Sequence, residues 1–71
     1  MPELSNASME RIMRKAGAER VSATAVAELA EALEEYGARL SKEAIELVRH
    51  AGRKTVKKED VKLAARRSGP I

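Results

Sequence analysis

Residues 22–50 read SATAVAELAEALEEYGARLSKEAIELVRH, from Ser22 to His50, without a proline. Val26, Leu29, Leu33, Tyr36 and Leu40 recur at alternating spacings of three and four, and Ala44, Leu47, Val48 and Ala51 continue the stripe. Glu28, Glu31, Glu34, Glu35, Lys42, Glu43 and Glu46 fall mostly outside it. That spacing predicts one amphipathic helix. Ser22 supplies a side-chain oxygen for its free N-terminal amides, and Gly37 lowers propensity without breaking the stripe. A helix of some 28 residues is about 42 Å long. A compact chain of this size has a radius of gyration of about 11 Å, hence a diameter of about 28 Å. The helix outruns such a globule, so its apolar face needs a second chain to cover it.

Working outward, Met9, Ile12, Met13 and Ala16 lie at i, i+3, i+4 and i+7 and predict a short helix of about three turns. Ser5, Asn6 and Ser8 are all capable of capping its start, and Gly17 suits a left-handed C-cap. Beyond the long helix, Gly52 breaks the pattern and Arg53-Lys54-Thr55-Val56 reads as a short extended segment. Residues 57–67 then predict a third helix, with Glu59 and Asp60 early and Arg66 and Arg67 late, as the helix dipole favours. Val61, Leu63, Ala64 and Ala65 are its packing candidates, and Ser68-Gly69-Pro70 ends it. The plan is all-α, short helix, long helix, short helix, in one domain spanning residues 1–71, without a repeat or a low-complexity tail.

Composition points the same way. The 71 residues hold one aromatic side chain, Tyr36, so the core rests on aliphatics and alanines that each bury little area. Chains of this size usually need a staple. Cysteine is absent and there is one histidine, which excludes a disulfide and a zinc site and implies no metal or cofactor. Association with another chain is the remaining source of burial. The formal charge is +3 with a pI of about 9.6, unevenly spread: +1 over residues 1–20, −3 over 21–50 and +5 over 51–71. A basic end of this kind suits a polyanion. No apolar run approaches a membrane span and the start MPELSNAS lacks a secretory signal's apolar core, so a soluble intracellular protein is expected.

Three segments carry a resemblance: Arg14-Lys15-Ala16-Gly17-Ala18-Glu19-Arg20-Val21-Ser22, the central Leu33-Glu34-Glu35-Tyr36-Gly37, and RHAGRKTVKKEDVKLA over residues 49–64. Together they resemble archaeal histones over nearly the whole chain. The pairing of AGAERVS with RHAGRKTVKKEDVKLA is far more specific than a three-helix pattern. The resemblance implies a histone fold in an intertwined homodimer crossed at the middle of the long helix. One departure stands out: in place of the family's proline-flanked start, this chain has Ser5-Asn6-Ala7-Ser8.

The resemblance also implies roles. The loop holding Arg20 and Ser22 pairs with the partner's loop holding Lys54, Thr55 and Lys57, making a DNA anchor at each end of the dimer. Arg20 enters the minor groove beside Thr55, where a narrowed groove concentrates negative potential. Arg11, and with it Arg14 and Lys15, forms a third anchor on the paired first helices. Arg53 and Asp60 match a structural ion pair tying the second loop to the third helix. Leu47, His50, Asp60 and Leu63 match a four-helix contact between dimers, with His50 facing an aspartate. Gly17 is a C-cap and, second, a small residue where neighbouring turns of an open superhelix approach. The implied function is sequence-nonspecific binding and wrapping of double-stranded DNA, compacting the nucleoid as dimers that add into tetramers or longer polymers on the cytoplasmic chromosome. Paralogous histones are further partners, and a membrane is not.

The rival reading is a histone-fold interaction subunit of a transcription complex, since one fold serves both. A helix-turn-helix regulator conflicts with the long middle helix. An enzyme is not expected: there is no nucleophile-histidine-acid set and no Gly-rich phosphate loop. The acidic stripe from Glu28 to Glu46 reads as a solvated face turned from the duplex.

Overall fold

A computed structural model of the chain describes residues 4–68. It contains α1 (Asn6–Lys15), α2 (Ala23–His50) and α3 (Lys58–Ser68), and the described residues include no strand. The short–long–short order agrees with the sequence reading. Gly69 and Pro70, expected to end α3, lie outside the described residues.

Each helix boundary has a local cause. The Ser5 side chain accepts from the Ser8 amide at 3.0 Å, so Ser5 caps α1. A serine hydroxyl thus starts the helix that lacks the family's flanking proline. Ser22 Oγ accepts from the Ala25 amide at 3.1 Å and caps α2 in the same way. Both helices then end in the same two-bond lock. After α1, the Gly17 amide donates to the Arg14 carbonyl and the Ala18 amide to Met13; after α2, Gly52 donates to Arg49 and Arg53 to Val48. These are Schellman pairs, and they require a positive φ at the glycine, +114° at Gly17 and +70° at Gly52. α3 starts differently. Its N-cap position is Lys57, and Asp60 reaches back to accept from the Lys57 amide at 2.8 Å, one half of a capping box.

Packing divides the chain into two compact units, Met1–Glu35 and Tyr36–Ile71, with the boundary inside α2. In the first, Met9, Val26 and Ala30 are buried, with Val21, Leu29 and Leu33 packed against them. In the second, Ala44, Val48, Ala64 and Asp60 are buried. The core is thin, as the composition requires: among the described residues no large side chain is fully buried, and Ala30, Ala44 and Ala64 are its most enclosed members.

Several expected core positions are open. Ile12, on the apolar side of α1, is 47% exposed, and Val61 and Leu63 on α3 are 42% and 44% exposed. On α3 the reason is the inward position of Asp60 and Ala64, four residues apart, which leaves Val61 and Leu63 on the flanks. Apolar periodicity alone does not reveal a buried carboxylate. In the second unit, Leu40, Ala44, Ile45, Val56 and Val61 line an open apolar groove.

Candidate nucleic-acid interface

The first unit carries Arg11, Arg14, Lys15, Arg20 and Ser22. The four cations are exposed and differ in how far the chain already engages them. Arg14 donates through Nε and Nη2 to Glu10 at 3.2 and 3.1 Å, and through Nη1 to the Glu19 carbonyl at 3.4 Å. Arg11 makes one long contact, 3.5 Å, to Ser8 Oγ. Among the described residues Lys15 and Arg20 have no side-chain hydrogen bond or ion pair. Arg20 sits between the Gly17 lock and the Ser22 cap, so a fixed backbone presents an uncommitted guanidinium. Ser22 Oγ is in use as a cap and lies 3.2 Å from Thr24 Oγ1.

The second unit carries Lys54, Thr55 and Lys57 in the segment between α2 and α3, again exposed. The side chains of Lys54 and Lys57 have no partner among the described residues. What holds this segment is the pair expected from the sequence. Arg53 Nη2 donates to Asp60 Oδ1 at 2.7 Å and Nη1 to Oδ2 at 3.1 Å, a bidentate arrangement, while Nη1 also donates to the Thr55 carbonyl at 3.2 Å. With the Lys57 amide, Asp60 therefore fixes both ends of the segment that bears the lysines. The Arg53 guanidinium, donating to it, holds the Asp60 carboxyl below its ordinary pKa; the Lys57 amide adds to this and burial opposes it. The same hydrogen bond raises the pKa of Arg53.

The other expected contact residues are spread along this unit. Leu47 is half-buried, and His50 and Leu63 are exposed. Asp60 is buried, and its three accepted hydrogen bonds use three of the about four lone-pair directions of a carboxylate. Sequence reasoning missed two ion pairs. Glu10–Arg14, at i and i+4, was legible from its spacing; Glu43–Arg67, at 3.3 Å between α2 and α3, leaves no local signal. Among the described residues no group of three or more His, Cys, Asp or Glu is placed to hold a metal, and no helix is long and apolar enough to cross a membrane.

Comparison with known proteins converges on this arrangement. The family of histone-like transcription factors (CBF/NF-Y) and archaeal histones matches residues 2–65. The chain belongs to that family. It is 59% identical over 66 residues to the archaeal histone HAN1 of Thermococcus zilligii, covering 93% of this chain and 98% of that one. It is 52% identical, with the same coverage, to probable archaeal histone 3 of Methanocaldococcus jannaschii. The three helices are accordingly a histone fold, and the resemblance carried by residues 14–22, 33–37 and 49–64 is shown.

Proposed function

We propose that this histone-fold chain binds double-stranded DNA through its phosphates, with little sequence preference, as an intertwined dimer that bends and wraps the duplex. The observation that carries the reading is the contrast among the cations. Arg20, Lys54 and Lys57 are exposed and uncommitted on segments whose backbones are locked by the Gly17 and Gly52 turns and by Arg53–Asp60. Fixed backbone with free cations suits phosphate contact, since neutralised phosphates release counterions and make affinity salt-dependent. Arg20 is assigned to the minor groove with Thr55 and Ser22 beside it, and Arg11, Lys15 and Arg14 to a central anchor. Of these Arg14 is the weakest contributor because Glu10 already holds it.

The dimer follows from burial. The groove of Leu40, Ile45, Val56 and Val61 is apolar surface that one chain leaves to water, and so is the exposed side of Ile12. A second copy in the histone-fold manner covers such surface, and a paralogous chain of the same family does so equally. Dimers then add along DNA through Leu47, His50 and Leu63, with Asp60 offering its one remaining acceptor direction to the imidazole of another dimer. Gly17 adds a small surface where successive turns approach. On this reading the chain acts on the chromosome, and its role is architectural.

Three anchors per dimer, one per inward-facing minor groove at about 10 bp intervals, cover about 30 bp. Nuclease digestion of the complex at moderate salt tests this. Protected fragments rising in steps of about 30 bp are expected from dimers that polymerise, while a single band near about 60 bp means closure at a tetramer. No protection overturns the wrapping reading in favour of a histone-fold interaction module.

A further inference from the structure

α3 carries cations that the anchors above do not use. Lys58, Lys62 and Arg66 recur every four residues, are exposed, and have no side-chain hydrogen bond or ion pair among the described residues. Arg67 is different, being paired with Glu43. At 3.6 residues per turn the three centre on the side of α3 opposite the inward-facing Asp60 and Ala64. Like charges at i and i+4 disfavour a helix. The stripe therefore costs α3 stability in the free chain and is relieved only by an outside anion.

We propose that Lys58, Lys62 and Arg66 form a second phosphate-binding face, which takes the backbone of a duplex segment other than the one held at the loops and so bridges two segments. The proposal rests on the DNA-binding reading above. Charge density decides between the two available anions. Lys58 to Arg66 spans about 12 Å of helix, and the same length of duplex presents about seven phosphates. The other option is the acidic face of α2 in a further copy, where Glu28, Glu31 and Glu35 present three carboxylates over a similar length. Those three are spaced by three and then four, so they also demand one register against the evenly spaced cations. A line of phosphates demands none. The surroundings favour a polyanion too: residues 36–71 hold ten basic and four acidic groups.

The test is capture of a second duplex. Full-length protein is loaded on an immobilised duplex, and retention of a labelled free duplex is compared with a triple variant, Lys58→Gln, Lys62→Gln, Arg66→Gln, and with Lys62→Glu alone. Glutamine keeps helix propensity, and circular dichroism checks that both variants fold. The proposal expects capture to fall at least about tenfold while affinity for a single duplex of about 30 bp changes less than about threefold. Undiminished capture by folded variants overturns it, as does an equal fall in both measurements, which places the stripe in the loop anchor. Loss of self-association by the variants in DNA-free solution, with capture unchanged, assigns the stripe to the acidic face of another copy and also overturns it. Wild-type protein that binds one duplex but captures no second overturns the bridging face alone; wild-type protein that binds no duplex overturns the DNA-binding reading itself.

Discussion

The two units on either side of the Glu35–Tyr36 boundary are built from similar helices but held by opposite means. Residues 1–35 enclose Met9, Val26 and Ala30 and hold their helix starts with serine hydroxyls. Residues 36–71 bury only small apolar side chains beside a carboxylate, and they fix the loop before α3 by charge. Net charge divides in the same place: four basic and seven acidic groups precede the boundary, and ten basic and four acidic follow it. A chain with one aromatic residue has little hydrophobic area to divide between two places. Where apolar burial is available, exposed hydroxyl caps suffice; where it is not, an ion pair on a buried carboxylate with three accepted hydrogen bonds replaces it. That pair also presents Lys54 and Lys57, so the electrostatic unit is the one richer in free cations.

The sharpest way to break this comparison is to remove the pair. Asp60→Ala leaves the Arg53 guanidinium and the Lys57 amide without their acceptor, and the melting midpoint is expected to fall by roughly 10 °C or more. At concentrations where dimer persists, DNA affinity should fall much less than stability. A wild-type melting curve for Asp60→Ala sinks the assignment. The pH dependence sharpens it further. Because the carboxyl of Asp60 is held below its ordinary pKa in the folded chain, its stabilisation is present above the unfolded value and lost as pH falls through the folded one. Wild type should therefore exceed Asp60→Asn in stability at neutral pH, and that gap should close below about pH 4. A gap that stays constant through acid titration means that the charge on Asp60 is not what holds the loop. Arg53 remains charged throughout this range, so no second transition is expected from it.

The next comparison concerns what the two units share. Gly17 and Gly52 close the same lock at positive φ, with open space around each α-carbon, so an added methyl meets no neighbour and acts only through the backbone. Gly17→Ala and Gly52→Ala should each cost about 1–2 kcal/mol, measured by chemical denaturation. A response at only one of them breaks the equivalence. The N-caps, by contrast, should differ. Ser22→Ala is expected to cost about 1 kcal/mol, since it orphans the Ala25 amide. Lys57→Ala should stay within about 0.5 kcal/mol of wild type, because Asp60 supplies the cap there, and should weaken DNA binding instead.

Legibility in the sequence follows the same division. The three helices, the caps at Ser22, Gly17 and Gly52, and the long proline-free middle were readable because each rests on residues within a turn of one another. The Arg53–Asp60 pair was readable only through family resemblance. The inward face of α3 was not readable from apolar spacing, because a carboxylate occupies one of its positions and moves Val61 and Leu63 to the flanks. Nor was Arg67–Glu43, which joins residues 24 positions apart. The identity of the interface cations follows from the sequence, but their engagement does not. Only the folded chain distinguishes Arg14, held by Glu10 and the Glu19 carbonyl, from Arg20, held by nothing among the described residues.

That distinction supplies the smallest and most discriminating change. Glu10–Arg14 is an exposed i, i+4 pair, about half open to water on both sides. Such a pair contributes about 0.3–0.5 kcal/mol, so Glu10→Gln should barely move a denaturation curve. Its effect on DNA should be clearer in salt dependence than in affinity. Removing the carboxylate releases the Arg14 guanidinium and deletes a negative charge beside Arg11, while leaving the α1 cap and the Met9 core untouched. If Arg14 then reaches a phosphate, the logarithmic dependence of binding on salt steepens by up to about 0.9 per arginine engaged, hence about 1.8 per dimer. An unchanged slope means that Arg14 is a solvated charge in both states, and the central anchor then rests on Arg11 and Lys15. Either result refines the contrast between the units, because it decides whether the first unit keeps a cation in reserve under its own carboxylate while the second leaves its cations free.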